Sequence, residues 1–249
     1  MTNASEKGHL RNATAFTELV AICSSLGASY RPSNPLLALT ALGSQSNAAT
    51  ESVNSVMALL NDYYNAVNLR QSGFAELATL SSRILSYFRS CGASEERIND
   101  LKAYHKKLQG STRRKPSTAA PVPADNPEPA AQRVISTSQL SYDQKSQHFL
   151  SMIDILMKEP LYSPLEDELT VAQLSERHRQ LLASSAAVQT QKRLLDNARA
   201  LRNELLYNKS SGVADVARAI KQYLRAAFGE QSAAWKQAVR LSISKPRTK

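Results

Sequence analysis

The sequence has few cysteines, glycines and aromatic residues. Its 249 residues include two Cys, eight Gly and four His, and aromatic residues make up 6% of the chain. Two cysteines cannot form a disulfide framework, and with four histidines they offer little material for a Cys/His metal site. We therefore expect a reducing, cytoplasmic setting. No long apolar run is present, so we expect neither a secretory signal nor a membrane-spanning segment.

The sequence also lacks the usual motifs of catalysis. Its glycines occur singly, with no Gly-x-Gly and no Gly-Lys-Ser/Thr, which argues against a phosphate-binding loop. No serine lies in the Gly-rich turn of a nucleophile elbow. The Glu-x-x-His spacing of bundle metal sites occurs only at Glu6 and His9, with Gly8 between them. The sequence thus predicts no catalytic residue, no metal and no cofactor.

Prolines divide the chain into segments, because a proline inside a helix removes a hydrogen bond and clashes with the preceding turn. Five of the ten prolines fall between Pro116 and Pro129, in a stretch that is also rich in Ala, Ser and Thr. We predict a Pro/Ala/Ser-rich linker at 111–141. No proline occurs between Pro35 and Pro116 or between Pro164 and Pro246, so both stretches are free to be helical.

The two sides of the linker resemble each other. Residues 30–71 align without gaps to residues 162–203, and ten aligned pairs are identical. They are Tyr30/Tyr162, Pro32/Pro164, Leu37/Leu169, Leu42/Leu174, Ser52/Ser184, Val56/Val188, Asn65/Asn197, Ala66/Ala198, Leu69/Leu201 and Arg70/Arg202. Further along, Tyr87 parallels Tyr223 and Gly92 parallels Gly229. We infer that one unit of roughly 95 residues occurs twice.

Apolar residues recur at helical spacing in both copies, and no window alternates long enough to indicate a strand. Each copy is predicted to have four helices: the third begins near Gly73 or Gly212, and the fourth is capped by Ser94 or Ser232. The predicted fold is all-α, with two tandem up-and-down four-helix units that are related by internal duplication and joined by a Pro/Ala-rich linker. The predicted domains are 1–110, the linker 111–141, and 142–249 with a basic tail. Whether they form separate bundles or one shared core stays open.

Four polar residues recur in both copies near the far end of the predicted long helix: Asn65, Arg70, Asn197 and Arg202. One interpretation is structural, with Asn bonding a neighbouring helix and Arg favouring a helix carboxyl end. The other is a repeated polar pocket in which Arg holds an anionic group through two hydrogen bonds. These are the candidate polar binding or structural positions.

The charge is unevenly distributed. The chain carries 31 Lys plus Arg against 21 Asp plus Glu, a formal net charge of +10. Most of the excess lies after the linker, where basic residues follow the long helix and continue into the tail. Such a surface could contact phosphates, although interspersed acidic residues are typical of a solvated helix face.

Residues 199–207 and 219–237 resemble a group of uncharacterised bacterial helical-bundle proteins. The shared pattern is a helix that ends in Phe228-Gly229, followed by Ser232 and then Trp235-Lys-Gln. The resemblance covers chiefly the C-terminal half. It implies a helical bundle and supplies no activity, ligand or catalytic residue.

Together these observations favour a non-enzymatic helical interaction or scaffolding protein with a protein partner and no membrane contact. One alternative is a nucleic-acid-associated accessory protein that uses the basic C-terminal domain. The other is a helical small-ligand binder or enzyme with a cryptic pocket between helices. The oligomeric state stays open.

Overall fold

The computed structural model describes residues 4–110 and 141–245, and within these ranges it contains helices and no strand. The all-α fold is therefore confirmed. The described α-helices are α1 (Ala4–Ser25), α2 (Leu39–Ser90), α3 (Glu95–Gln109), α4 (Tyr142–Met157), α5 (Val171–Tyr207), α6 (Val213–Phe228) and α7 (Ala233–Arg240). In both described ranges, no helix combines the length and the apolar character that crossing a membrane requires. The predicted linker, apart from Ser141, and the last four residues of the basic tail lie outside the described residues.

Serine caps start three of these helices. The hydroxyls of Ser94, Ser141 and Ser232 each accept a hydrogen bond from the backbone N–H three residues later, which satisfies one of the free donors of a first helical turn. Gly92 and Gly229 lie in the turns before α3 and α7 with φ of 84° and 79°, a conformation that favours glycine. The predicted helix starts at Ser94 and Ser232 are thus confirmed.

The predicted break near Gly73 is absent. α2 continues through this position to Ser90, so the first half of the chain has three helices where four are predicted. Helical geometry at a glycine is permitted, although it costs about 1 kcal/mol relative to alanine. A Cβ at Gly73 would lie 3.3 Å from Cδ2 of Leu181, so the small residue gives room to that leucine.

The described residues form two compact units. Unit 1 contains 4–65 and 189–245, and unit 2 contains 66–110 and 141–188. These units do not coincide with the predicted domains 1–110 and 142–249, since each unit takes residues from both sides of the linker. The helical spacing identifies apolar faces, but it does not specify which faces pack together.

Each unit has its own apolar core. In unit 1, buried residues of α1 and the first part of α2 pack with α6 and with Ala238 of α7; Phe16, Leu19 and Ile220 are fully buried. In unit 2, the last part of α2 and α3 pack with α4 and the first part of α5, around Phe88 and Phe149. Burial of these side chains supplies the main stabilisation of both units.

The same tyrosine arrangement occurs in both units. In unit 1 the Tyr30 hydroxyl donates to the Leu37 carbonyl at 3.0 Å, and its ring meets Tyr223 edge-on at 5.2 Å. In unit 2 the Tyr162 hydroxyl donates to the Leu169 carbonyl at 2.7 Å, and its ring meets Tyr87 edge-on at 5.3 Å. Each bond spans seven residues and closes the turn that leads into a long helix.

Removing either hydroxyl should have a similar cost. We expect Tyr30→Phe and Tyr162→Phe each to lower the free energy of unfolding by about 1 kcal/mol, because a buried carbonyl loses its donor. Chemical denaturation followed by circular dichroism measures the change. Tyr64→Phe is the control, since Tyr64 is 42% exposed. An unchanged stability in both buried variants would contradict the assignment.

Candidate functional site

Arg202 of α5 is the most buried of the four recurring polar residues, with a side chain that is only 4% exposed. Its guanidinium binds the carboxylate of Glu6 on α1 and donates to Oδ1 of Asn203 at 2.9 and 3.2 Å. Nε of Arg199 donates to the other Glu6 oxygen at 3.2 Å. Because Arg199 and Arg202 are three residues apart, they lie on one side of α5 and reach the same carboxylate.

Neutral polar groups continue this cluster. Asn12 of α1 donates from Nδ2 to the Tyr207 hydroxyl at 3.0 Å and to the Ser244 carbonyl at 2.8 Å. The Tyr207 hydroxyl lies 2.7 Å from Nδ1 of His9. A hydroxyl oxygen can accept two hydrogen bonds, so the tautomer of His9 decides which of these two atoms donates.

We call these residues the α1–α5 polar cluster: Glu6, His9, Asn12, Arg199, Arg202, Tyr207 and Ser244. Glu6, His9 and Asn12 follow one another at steps of three along α1, which places them on one side of the helix. His9 and Asn12 are each 6% exposed. The polar cluster therefore connects α1 to α5 and to the segment after α7 within unit 1.

Burial shifts the pKa of three members. Desolvation lowers the pKa of His9, with a further decrease from Arg202 and Arg199 that Glu6 opposes. Desolvation raises the pKa of Tyr207, against the bond from Asn12 and the charge of Arg202. It lowers the pKa of Arg202, which Glu6 opposes. These shifts favour neutral imidazole and neutral phenol, in agreement with a hydrogen bond between Tyr207 and His9.

The chemistry available to the cluster is internal pairing. Both carboxylate oxygens of Glu6 are bound by guanidinium groups, so the Glu6 to His9 spacing does not present a free carboxylate to a metal. Within the described ranges, no group of three or more His, Cys, Asp or Glu side chains is placed to hold a metal ion. Glu6 and the two arginines form a buried, hydrogen-bonded ion pair. Removing one partner would leave another buried charge without its counter-charge.

The unit 1 cluster should make stability depend on pH. A His9 pKa below its ordinary value of 6.5 means that the unfolded state binds the proton more readily. The contribution of His9 to the free energy of unfolding should therefore be fully present above pH 6.5. It should be lost as the pH falls below 6.5, toward the lower pKa of the folded state. Urea unfolding on both sides of pH 6.5 measures this slope.

The His9→Gln variant isolates the contribution of this residue. Its slope should be smaller than that of the wild type but not zero, because burial also lowers the pKa of His105, His148 and His178. Equal slopes for variant and wild type would show that His9 does not titrate as its surroundings require.

Arg70 belongs to unit 2 and has different partners from Arg202. Its guanidinium carbon lies 4.2 Å from the ring centroid of Tyr142 on α4, a cation–π contact. Tyr142 in turn meets Phe74 edge-on at 4.8 Å. The buried Nε of Arg70 has no hydrogen-bond partner among the described residues. At the recurring arginine position, Arg202 thus binds a carboxylate in unit 1, whereas Arg70 contacts an aromatic ring in unit 2.

Asn65 and Asn197 are both exposed, and no hydrogen bond joins either side chain to another described residue. Neither belongs to the polar cluster. Of the four recurring positions, only Arg202 contributes to it. The sequence did not identify the other members of the polar cluster as partners of Arg202. The spacing of Glu6, His9 and Asn12 does show that these three residues share one side of a helix.

Carboxylates pair with many of the basic side chains that gave the C-terminal domain its positive charge. The pairs are Arg177 with Glu76, Arg179 with Glu176, Arg218 and Lys245 with Asp215, and Arg225 with Glu230. Lys221 donates to the Leu241 carbonyl at 2.5 Å. Much of the basic face predicted from the sequence is therefore paired locally.

A groove of about 480 Å³ lies between α2 and α5 in unit 2. Its charged lining includes Arg83, which is 2.5 Å from Glu168, and Arg177, which binds Glu76. Glu168 and Glu76 are 72% and 71% exposed, so both ion pairs of the groove lie at the surface. Comparison of the chain with known protein families, with curated proteins and with solved structures finds no match.

Proposed function

We propose that the chain is a non-enzymatic helical interaction or scaffolding protein that binds a protein partner. The observation that carries this proposal is the exposure of large apolar side chains around the connection between α4 and α5. Met157, Leu161 and Leu165 are 58%, 56% and 96% exposed. The three residues lie within nine positions of one another along the chain. Exposed apolar residues that form a contiguous surface are typical of contact sites, whereas isolated ones are common on any protein. We call these three residues the apolar patch.

The use of the ionisable groups also supports this proposal. The buried charges of unit 1 bind one another. The ion pairs of the unit 2 groove are exposed to solvent. An enzyme of acid–base type places such groups where a substrate can reach them. The buried pairing in unit 1 is what we expect of side chains that position helices.

Nucleic-acid association ranks second. It requires Lys and Arg side chains that are available to phosphates, and its affinity would fall steeply as salt is raised. The local pairing of Arg177, Arg179 and Arg225 with carboxylates reduces the positive surface available for that role. We therefore place the protein-partner proposal first.

The internal duplication is part of the proposal. Its support is the recurrence of one tyrosine arrangement in both units, with the aligned residues Tyr30 and Tyr162 against the aligned residues Tyr223 and Tyr87. In each unit, one tyrosine comes from before the linker and the other from after it. The resemblance to uncharacterised bacterial bundle proteins and the cytoplasmic setting stay predictions.

The apolar patch gives the test. The full chain and its Leu161→Ser/Leu165→Ser variant are used to capture proteins from cells that express the gene, and each recovered protein is quantified. We expect at least one protein to bind the wild type and to be reduced about tenfold or more with the variant, as for loss of a central apolar contact. The captured protein is then purified, and its affinity for both chains is measured.

Leu69→Ser is the matched control, since Leu69 is 71% exposed and lies on α2 away from the patch. It should retain the partner. Equal recovery of every protein by wild type and patch variant would overturn the proposal. Binding of DNA or RNA that weakens steeply with salt and is unaffected by the patch variant would favour the second candidate.

A further inference from the structure

The five residues that follow α7, 241–245, form an extended segment that lies on unit 1. Leu241 has φ of −75° and ψ of 113°, which is extended backbone, and the five residues belong to no helix. Leu241 and Ile243 pack against the core of unit 1, whereas Ser242 and Ser244 are exposed. This alternation is typical of an extended chain that turns every second side chain to one surface. We call residues 241–245 the strap.

Asn12 of α1 binds the backbone of the strap. Its Nδ2 donates to the Ser244 carbonyl at 2.8 Å, and its Oδ1 accepts from the Ser244 N–H at 3.4 Å. The side-chain amide of Asn12 thus pairs with both backbone groups of one residue, as a neighbouring strand would. Asn12 is 6% exposed, so water does not easily replace these bonds. Because both bonds go to backbone atoms, they hold an extended chain whatever its side chain at this position.

Two residues of α6 hold the ends of the strap. Nζ of Lys221 donates to the Leu241 carbonyl at 2.5 Å, and the Asp215 carboxylate accepts from Nζ of Lys245 at 2.9 Å. The first bond requires only a backbone carbonyl, whereas the second requires a basic side chain. The Asp215 side chain is 14% exposed, so its charge is partly shielded from water. We call Asn12, Asp215 and Lys221, together with the apolar surface under the strap, the strap site.

The chemistry of the strap site is that of a surface that binds extended peptides. Such surfaces gain affinity from hydrogen bonds to the peptide backbone and specificity from contacts with alternate side chains. In the strap the alternate apolar side chains are Leu241 and Ile243, and the basic one is Lys245. The strap site therefore selects an apolar residue, a second apolar residue two positions later and a basic residue two positions after that.

We propose that the strap site binds an extended segment of a partner protein with this pattern, and that the strap is its intramolecular competitor. The partner segment binds only to molecules in which the strap has left the site. The strap leaves without unwinding α7, because that helix ends at Arg240. The inference goes beyond the proposed function, since it concerns another surface, in unit 1, and a partner of stated chemistry.

The test uses the full chain and a synthetic peptide, capped at both ends, with the sequence of residues 240–245. In the Leu241→Ser/Ile243→Ser variant, which we call the open variant, the strap loses its apolar contacts and leaves the site. We expect the open variant to bind the peptide with a dissociation constant on the order of 100 micromolar, as for a short unconstrained segment. The wild type should bind it at least about tenfold more weakly, because its own strap competes. Nuclear magnetic resonance titration of the isotopically labelled chain measures both affinities.

Lys245→Glu weakens the strap without altering the apolar core. The Lys245 side chain is 39% exposed, and the substitution replaces its bond to Asp215 with a repulsion. The apparent affinity for the peptide should rise about threefold relative to the wild type. Arg240→Glu is the matched control, since it makes the same change of charge at an exposed position outside the strap. Equal affinities of Lys245→Glu and Arg240→Glu would overturn the proposal, whatever the stability of the open variant.

Changes in the peptide test the contacts one at a time, with the protein unchanged. Methylation of the Ser244 nitrogen removes the donor to Asn12, and Lys245→Glu in the peptide removes the cation that Asp215 binds. Each change should weaken binding to the open variant at least about threefold. Ser242→Ala in the peptide is the control and should have no effect, because Ser242 is exposed.

Three further results would overturn the inference: no binding of the peptide to the open variant, equal binding to the open variant and the wild type, or equal binding of the methylated and unmodified peptides. A wild-type dimer that the free peptide dissociates would identify a second copy as the occupant and would contradict a separate partner. The capture experiment on the apolar patch is independent, because none of these substitutions alters Met157, Leu161 or Leu165.

Discussion

Replacing Glu6 with glutamine lowers the expected free energy of unfolding of unit 1 by about 3 kcal/mol, since a buried arginine then loses its counter-charge. The Arg202 side chain is 4% exposed and that of Glu6 is 13% exposed. Water therefore cannot replace the carboxylate easily. Chemical denaturation of Glu6→Gln and of the wild type at neutral pH gives the difference.

A double-mutant cycle separates the ion pair from other effects of the substitution. Arg202→Met alone should also destabilise unit 1, but the combined Glu6→Gln/Arg202→Met variant should lose less than the sum of the two single losses. Glu18→Gln is the matched control, because Glu18 lies on the same helix and is exposed. A control effect within about 0.5 kcal/mol is expected. Strictly additive losses would show that Glu6 and Arg202 do not interact.

Gly212→Ala should be comparably damaging, for a steric reason. Gly212 precedes α6, and a Cβ there would lie 2.5 Å from the backbone nitrogen of Asn208 and 2.7 Å from its oxygen. Backbone atoms of a tight turn cannot move aside as a side-chain end can. We expect a loss of about 3 kcal/mol, at the upper end for overpacking. Thermal unfolding by calorimetry measures it.

Gly43→Ala is the counterpart of that substitution. Gly43 lies inside α2 and nothing lies within 4 Å of an added Cβ. Alanine should therefore stabilise the protein by about 1 kcal/mol through its better helix propensity. The same chemical change thus has opposite expected signs at two positions. If Gly212→Ala left the stability unchanged, that result would contradict the close approach of Gly212 to the backbone of Asn208 in the turn between α5 and α6.

The sequence predicts the helices better than it predicts their partners. Serine caps and proline-free stretches are local signals, so Ser94 and Ser232 identify helix starts correctly. The helix break predicted at Gly73 is absent because a glycine lowers helix stability without ending a helix. Leu181 packs against Gly73, and this tertiary contact cannot be predicted from the local sequence. The spacing of apolar residues also cannot predict which segments form each unit, because it identifies an apolar face but not the element that covers it.

The candidate site shows the same limit. Recurrence along the chain identified Arg202 but also selected Asn65 and Asn197, which are exposed. The carboxylate of Glu6 lies almost two hundred residues away in sequence, and no local pattern connects it to Arg202.

The composition of unit 1 has a consequence for synthesis on the ribosome. α1 packs against α6 and α7, which are the last helices to be made. All residues of unit 2, in contrast, have been made before residue 189 is added. Because domains generally fold once their residues have emerged, the middle of the chain can fold first. The part of the apolar side of α1 that α6 and α7 cover must then stay exposed until translation is nearly complete.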